Sequence, residues 1–361
     1  MYPRLTIDLT KLKRNLDYLT EAARARGVSL AIVTKCLCAD KPLVRLIGES
    51  GADYIADSRV QNLKKMEGCL KPRMLLRVGM PSEAEAIAAN SEISLQSEIK
   101  TIRALGAAAA GLRRRHKVVL MIDMGDLREG VFFRDKEKIL ETAEAAAHEP
   151  WLELYGVGVN LTCYGAVLPD CDNLGGLVQI ADMLRSRLSL PIPLVSGGNS
   201  SSLTMLLSGA MPDGINNLRL GESFLLGNDT AACAPLDGLY TDAFLLEAEL
   251  VERQIKPSKP IGSSGANAFG EPVSFADRGP RARGILAIGR QDTDQGGLRP
   301  VDPRVETLGA SSDHLLVDLT ACPEYGVGSI IRFVPDYGAL LRAATSCYVE
   351  KIYYKGEIKC L

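Results

Sequence analysis

No excess of positive over negative side chains, or the reverse, marks this chain. Its 361 residues carry 42 Lys and Arg against 44 Asp and Glu, a formal net charge of −2, so the balance favours neither a nucleic-acid backbone nor a membrane surface as partner. Long apolar runs are missing too. No segment approaches the roughly 20 apolar residues needed to span a bilayer, and the opening MYPRLTIDLTKLKRNLDYL places charges where a signal peptide needs an unbroken apolar core. A cytoplasmic protein is expected. The nine cysteines include no CxxC pair, Cys36 and Cys38 stand too close for a metal knuckle, and His116, His148 and His314 fall singly. A structural zinc site needs four convergent ligands, so no metal is expected.

What is present is enough apolar material for two cores. With 46% hydrophobic and 24% charged residues, the length suits one large domain and one smaller one. Short apolar runs recur at residues 30–34, 53–56, 73–77, 93–95, 117–122, 153–157, 194–196 and 217–220, and between most of them lie helical segments such as KPLVRLIGES, PSEAEAIAAN and KEKILETAEAAA. Eight such repeats predict a parallel (β/α)8 barrel of the TIM type, whose strands are apolar because both faces are covered. Beyond about residue 232 the rhythm changes to strand patterns separated by Gly, Pro and Asp clusters, with little helix. The expected organisation is an α/β barrel over residues 10–232, followed by a mainly antiparallel β domain over 233–361 to which residues 1–9 add a strand.

In a barrel of this kind the chemistry sits on loops at the C-terminal ends of the strands. Lys35, in SLAIVTKCLCADKP, lies at the mouth end of the first barrel strand. A lysine there can simply extend its ammonium into water; held among apolar neighbours, its amine can instead form an imine. SGGNSSS at 196–202 precedes a helical run, and Asn199, Ser200 and Ser201 with free backbone N–H groups suit a phosphate. In RLGES, Gly221 lets the backbone approach the same phosphate and Arg219 points into the mouth. A nucleophile set of Asp57, Ser58 and Arg59 is less apt than a helix cap before VQNLKKM. Cys36 and Cys38 are expected to alternate faces and fill space.

The order of strand-Lys, DMGDLREG, SGGNSS, LRLGES, IGRQDTD and SSDHLLVDLT resembles the pyridoxal-phosphate enzymes of the alanine racemase class (fold type III) over nearly the whole chain. YPRLTIDLTKL, GADYIADSR and GDLREG make it most similar to the ornithine or broad amino-acid racemase branch. The resemblance implies that Lys35 carries pyridoxal 5'-phosphate, that Arg219 faces the ring nitrogen, that Ser200 and Gly221 bind phosphate and that Tyr353 closes over it. It also implies that Arg128 braces the cofactor and the substrate carboxylate, and that Ser312 and Asp313 reach a partner subunit's barrel in a homodimer with shared active sites.

The implied reaction is racemisation of a free amino acid, ornithine or another basic one; Glu222, Asp292 and Asp294 are candidate carboxylates for its distal ammonium. Three departures stand against the pattern. Met121 occupies a position that is often lysine, and Arg290 replaces the tyrosine of the usual GYADG segment. Phe269, in ANAFGE, stands where the opposite-face tyrosine acid belongs, and phenylalanine transfers no proton. Either the register is shifted, or Cys322, Tyr325 or Asp313 acts instead, or the chain does not racemise. A decarboxylase, an aldolase or a non-catalytic cofactor-binding regulator are the alternatives.

Overall fold

All eight apolar runs form parallel strands in the computed structural model of the protein, which describes residues 1–356. The strands are Ser29–Val33, Tyr54–Asp57, Arg73–Leu75, Ile93–Gln96, His116–Asp123, Leu152–Gly158, Leu194–Ser196 and Asn217–Leu220. Each pairs with the next, and the last returns to the first through Asn217↔Ser29 and Arg219↔Ala31, which closes the sheet into a barrel. Helices Lys41–Gly48, Ala84–Asn90, Ile99–Leu112, Lys136–Ala147 and Cys171–Leu188 lie between them in sequence. The last opens with a reciprocal cap: Asn173 N–H donates to Asp170 at 2.7 Å, and Asp170 N–H to Asn173 at 3.0 Å.

Alternate strand residues meet inside the barrel, among them Ala31, Val33, Ala56, Leu95, Val119 and Met121. Nearer the strand starts, Tyr54 and Tyr155 share a hydroxyl contact of 3.0 Å, and Lys117 Nζ stands 4.0 Å from the centre of the Tyr155 ring. His116 is buried at the start of its strand with Nε2 at 2.9 Å from Ser94 Oγ. Burial disfavours the charged imidazolium and pushes its pKa down to about 4.

This compact unit spans Lys11–Thr241; residues 1–10 and the chain from Asp242 onward make another. The second unit is built on a mostly antiparallel sheet in the order Leu298–Pro300, Ile330–Pro335, Phe244–Pro257, Pro280–Leu286, Leu315–Asp318 and Glu306–Ala310. Arg4–Asp8 pairs antiparallel with Phe244–Pro257 and parallel with Glu350–Tyr354. The buried Glu247 accepts from Arg4, from Thr6 Oγ1 at 3.1 Å and from Arg332 at 3.0 Å, so the ion cluster joins three strands. One departure from the strand-rich expectation is helix Tyr337–Thr345. Asp336 caps it by accepting from Ala339 N–H at 2.8 Å, and the helix buries Leu340, Ala343 and Ala344, a helical spacing inside an otherwise strand-like region. Among the described residues, no helix is long and apolar enough to cross a membrane.

Candidate active site

Lys35 opens a short 3₁₀ turn, Lys35–Leu37, two residues beyond the first barrel strand, and is exposed there. The turn is anchored from beneath. Thr34 Oγ1 donates to Asp57 Oδ2 at 2.7 Å and to Ala56 O at 3.2 Å, both on the neighbouring strand. Asp57 is fully buried and also accepts from Arg59 N–H and Asn62 Nδ2, each at 3.0 Å. Burial pushes its pKa up, and those donors oppose the shift. The residue at the cap position of Val60–Lys65 is Arg59, whose side chain makes no capping bond; Asp57 instead steadies the turn that carries Lys35. Cys36 is buried, whereas Cys38 adopts the left-handed conformation at φ 52°, so the pair follows a turn and not a strand alternation.

Arg219 shares its register with Ala31, which places it on the interior face of the barrel. Only 4% of it is exposed. Its guanidinium donates to Ser196 Oγ and, at 2.6 Å, to Val159 O. Ser196 in turn donates to Asn217 Oδ1 at 2.6 Å. Burial pushes the Arg219 pKa down to about 10, which still leaves it charged at neutral pH.

Beside it runs the glycine-serine loop. Ser200 Oγ accepts from Gly221 N–H and Ser223 N–H, both at 3.2 Å, and so ties the two expected phosphate segments together. Asn199 Oδ1 accepts from Ser201 N–H at 2.8 Å, while its amide nitrogen donates to Asn160 Oδ1 and Leu161 O, each at 2.9 Å. Asn199 is therefore a clamp between two loops. Gly198 has φ +111°, and a Cβ there would stand 2.8 Å from Ser202 Oγ; only glycine fits this bend. Ser201 Oγ is buried without a hydrogen-bond partner. A buried hydroxyl of that kind is costly unless something accepts from it. An amine on an exposed turn, an orphaned hydroxyl, a tight glycine loop and a buried cation fit pyridoxal phosphate.

Across the mouth lies the loop after His116–Asp123, four strands from Ser29–Val33 in either direction around the barrel. Asp123 Oδ1 accepts from Gly125 N–H at 2.9 Å and Leu127 N–H at 3.1 Å. Gly130 has φ +123°, and a Cβ there would sit 2.4 Å from Asp123 N. These constraints present Arg128, which is ion-paired with Glu129; that pairing raises the Arg128 pKa. Asp126, fully buried, accepts from the N–H groups of Thr162, Tyr164, Gly165 and Val167 at 3.0 to 3.2 Å. It holds in place a loop carrying Cys163, whose Sγ accepts from Asn199 Nδ2 at 3.3 Å. Glu129 and Cys163 both interact electrostatically with Arg219. Neither residue stands out by sequence alone, although each lies in a segment that follows a barrel strand.

A family model described as alanine racemase, N-terminal domain, matches residues 7–228. The chain belongs to this family. It is 46% identical over 352 residues to an ornithine racemase of Acetoanaerobium sticklandii, covering 97% of this chain and 99% of the relative. It is 38% identical over 355 residues to a lysine racemase of Thermotoga maritima, covering 98% and 99%. Among solved structures, an alanine racemase from D-cycloserine-producing Streptomyces lavendulae matches with a TM-score of 0.74 over 99% of this chain and 98% of that one; at 17% identity this is a likeness of fold. Membership of this family of fold-type III enzymes supports pyridoxal-phosphate chemistry.

The family's remaining candidate positions are less uniform. Glu222 is half-buried in the first turn of Glu222–Leu226. Asp292, 7% exposed, accepts from Ser346 Oγ at 2.7 Å, and Asp294 accepts from Gly296 N–H at 3.1 Å. Both carboxylates thus accept hydrogen bonds from the fold itself. Ser312 and Asp313 are exposed on the turn between Glu306–Ala310 and Leu315–Asp318. Tyr353 is half-buried opposite Ile7. Phe269 stands on an exposed turn with the Arg290 guanidinium 4.2 Å from its ring centre, and Arg290 pairs with Glu271. Two of the three departures, Phe269 and Arg290, thus stack on each other. Cys322 is fully buried, and that burial raises its pKa. Tyr325 donates to Asp302 at 3.1 Å; burial first, then that bond, raises its pKa.

Proposed function

We propose that the protein racemises a free basic amino acid, ornithine foremost, with pyridoxal phosphate held on Lys35. Support for the substrate class comes from the ornithine and lysine racemases to which the chain is similar. Support for the reaction rests on one observation above the others: Arg219 is buried on the inner face of the barrel, with donors turned to Ser196 and Val159, and remains charged at neutral pH. With pyridoxal phosphate bound, such a cation at the ring nitrogen would hold that nitrogen unprotonated. That would favour rapid return of a proton to Cα over side reactions.

Bound pyridoxal phosphate supplies an electron sink for the pair left when a Cα proton departs. Ser200, Ser201 and the Gly221 backbone would hold the phosphate, and Asn199 keeps their loop in register. Arg128 orients the substrate carboxylate, with Glu129 restraining the guanidinium. Lys35 serves one face of Cα, taking a proton there from one enantiomer as general base and giving one there to the other as general acid. Asp57, through Thr34, fixes the backbone from which Lys35 works. The exposed turn of Ser312 and Asp313 suits contact with a second copy of the chain, and we include a cytoplasmic homodimer in the proposal, to be checked by sedimentation.

The test is chiral chromatography of ornithine and lysine, in both configurations, after incubation with the protein and pyridoxal phosphate. Interconversion in both directions, lost in Lys35→Ala, is the expected result. Absence of interconversion with either amino acid defeats the proposal.

A further inference from the structure

Racemisation needs proton transfer on both faces of Cα, and the reading above, on which this inference rests, gives Lys35 only one. Phe269 has no proton to give. Cys322 lies fully buried and Tyr325 is hydrogen-bonded to Asp302. Cys163 is in a different situation. Its strand, Leu152–Gly158, lies three positions around the barrel from Ser29–Val33, so its loop enters the mouth from the far side. The backbone is pinned on both sides of it, by Asp126 on Thr162 N–H and on Tyr164 N–H, while the side chain itself is exposed. Asn199 Nδ2 donates to Sγ at 3.3 Å from the loop that carries Ser201. Two polar atoms bordering this cluster are buried without partners: Asn160 Nδ2, on the side chain whose oxygen shares the Asn199 amide, and Ser201 Oγ. Both residues are more than nine-tenths buried. Open donors beside a fixed, accessible thiol that interacts electrostatically with Arg128 and Arg219 describe a place where a ligand sits.

We propose that Cys163 is a catalytic acid-base of this chain, exchanging a proton with the face of the substrate Cα opposite the one served by Lys35. In one direction the Lys35 amine takes the Cα proton and becomes an ammonium, while the Cys163 thiol gives its proton to the other face and becomes a thiolate. The other enantiomer runs both transfers in reverse. When one enantiomer is consumed continuously, solvent carries the proton from the ammonium back to the thiolate. No oxidant or further reactant is involved.

The experiment compares the wild type with Cys163→Ala and Cys163→Ser, each loaded with pyridoxal phosphate, on L- and D-ornithine in heavy water. Inversion should fall by at least about a hundredfold in both variants, while deuterium still enters Cα of one enantiomer with its configuration kept. A second readout does not depend on turnover. Iodoacetamide labelling of the wild type, mapped by mass spectrometry, should slow by about tenfold at Cys163 when pyridoxal phosphate and ornithine are present, because a ligand in such a site is largely enclosed. The exposed Cys171 and Cys233 should label at unchanged rates. Inversion within threefold of wild type in both variants, or labelling of Cys163 indifferent to the ligands, overturns the assignment and leaves the racemase reading standing. A wild type that neither inverts nor exchanges any basic amino acid overturns both.

Discussion

At the barrel mouth, polar residues at the C-terminal ends of six strands bond between segments: Thr34 to Asp57, Arg219 to Ser196 and Val159, Asn199 to Asn160 and Cys163, Asp126 to the backbone of residues 162–167. In the β-sheet unit, comparable residues serve the fold beneath them or lie exposed on turns. Asp292 accepts from Ser346, Asp294 from Gly296, Tyr325 donates to Asp302, and Phe269 packs under Arg290. The same residue types at similarly suggestive places thus have different fates. A buried network with donors left over suits a ligand, whereas a carboxylate already satisfied by neighbouring donors has less to offer one.

Four substitutions or titrations can break that comparison, and the largest effect belongs to the mouth. Lys35→Ala should lower racemisation by roughly a thousandfold, as expected for loss of a general base, without shifting the thermal midpoint; chiral chromatography and calorimetry check the two halves. Asp126→Ala removes the buried acceptor of four N–H groups. It should cost roughly 3 to 4 kcal/mol in urea unfolding and speed proteolysis near Tyr164. If it costs nothing, the loop is not held as described.

His116 tests the barrel away from the mouth. Its pKa is pushed down to about 4 in the folded chain, from 6.5 for an ordinary histidine. The unfolded chain therefore binds the extra proton first as pH falls. Stability should be complete above about pH 6.5 and decline by about 3 kcal/mol as pH drops toward 4. In His116→Asn that part of the slope should vanish, measured by urea unfolding across the range. The smallest effect is expected at Asp292. Asp292→Ala should cost about 1 kcal/mol for one lost hydrogen bond and move the KM for ornithine by less than about twofold. A tenfold rise in KM with unchanged unfolding would restore Asp292 as a substrate ligand and blur the contrast between the two regions.

The chain itself carries much of the mouth in legible form. Eight apolar runs and their spacing imply the barrel because a parallel strand covered on both faces has no room for polar alternation. Lys35, the SGGNSSS loop and Arg219 fall at strand ends and can be picked out by position alone. The Asp123 side chain and Gly130 act on neighbours between residues 122 and 130, contacts that do not depend on closure of the barrel. What only the tertiary structure decided are the contacts between distant segments. Asn199 meets Cys163 across 36 residues, and Asp126 clamps a loop 36 to 41 residues later. Asp292 finds Ser346 across 54. Local sequence shows that a carboxylate or thiol exists; closure of the barrel and pairing of the sheet determine which donor stands within hydrogen-bond reach of it, and hence whether it is left for a ligand or taken by the fold.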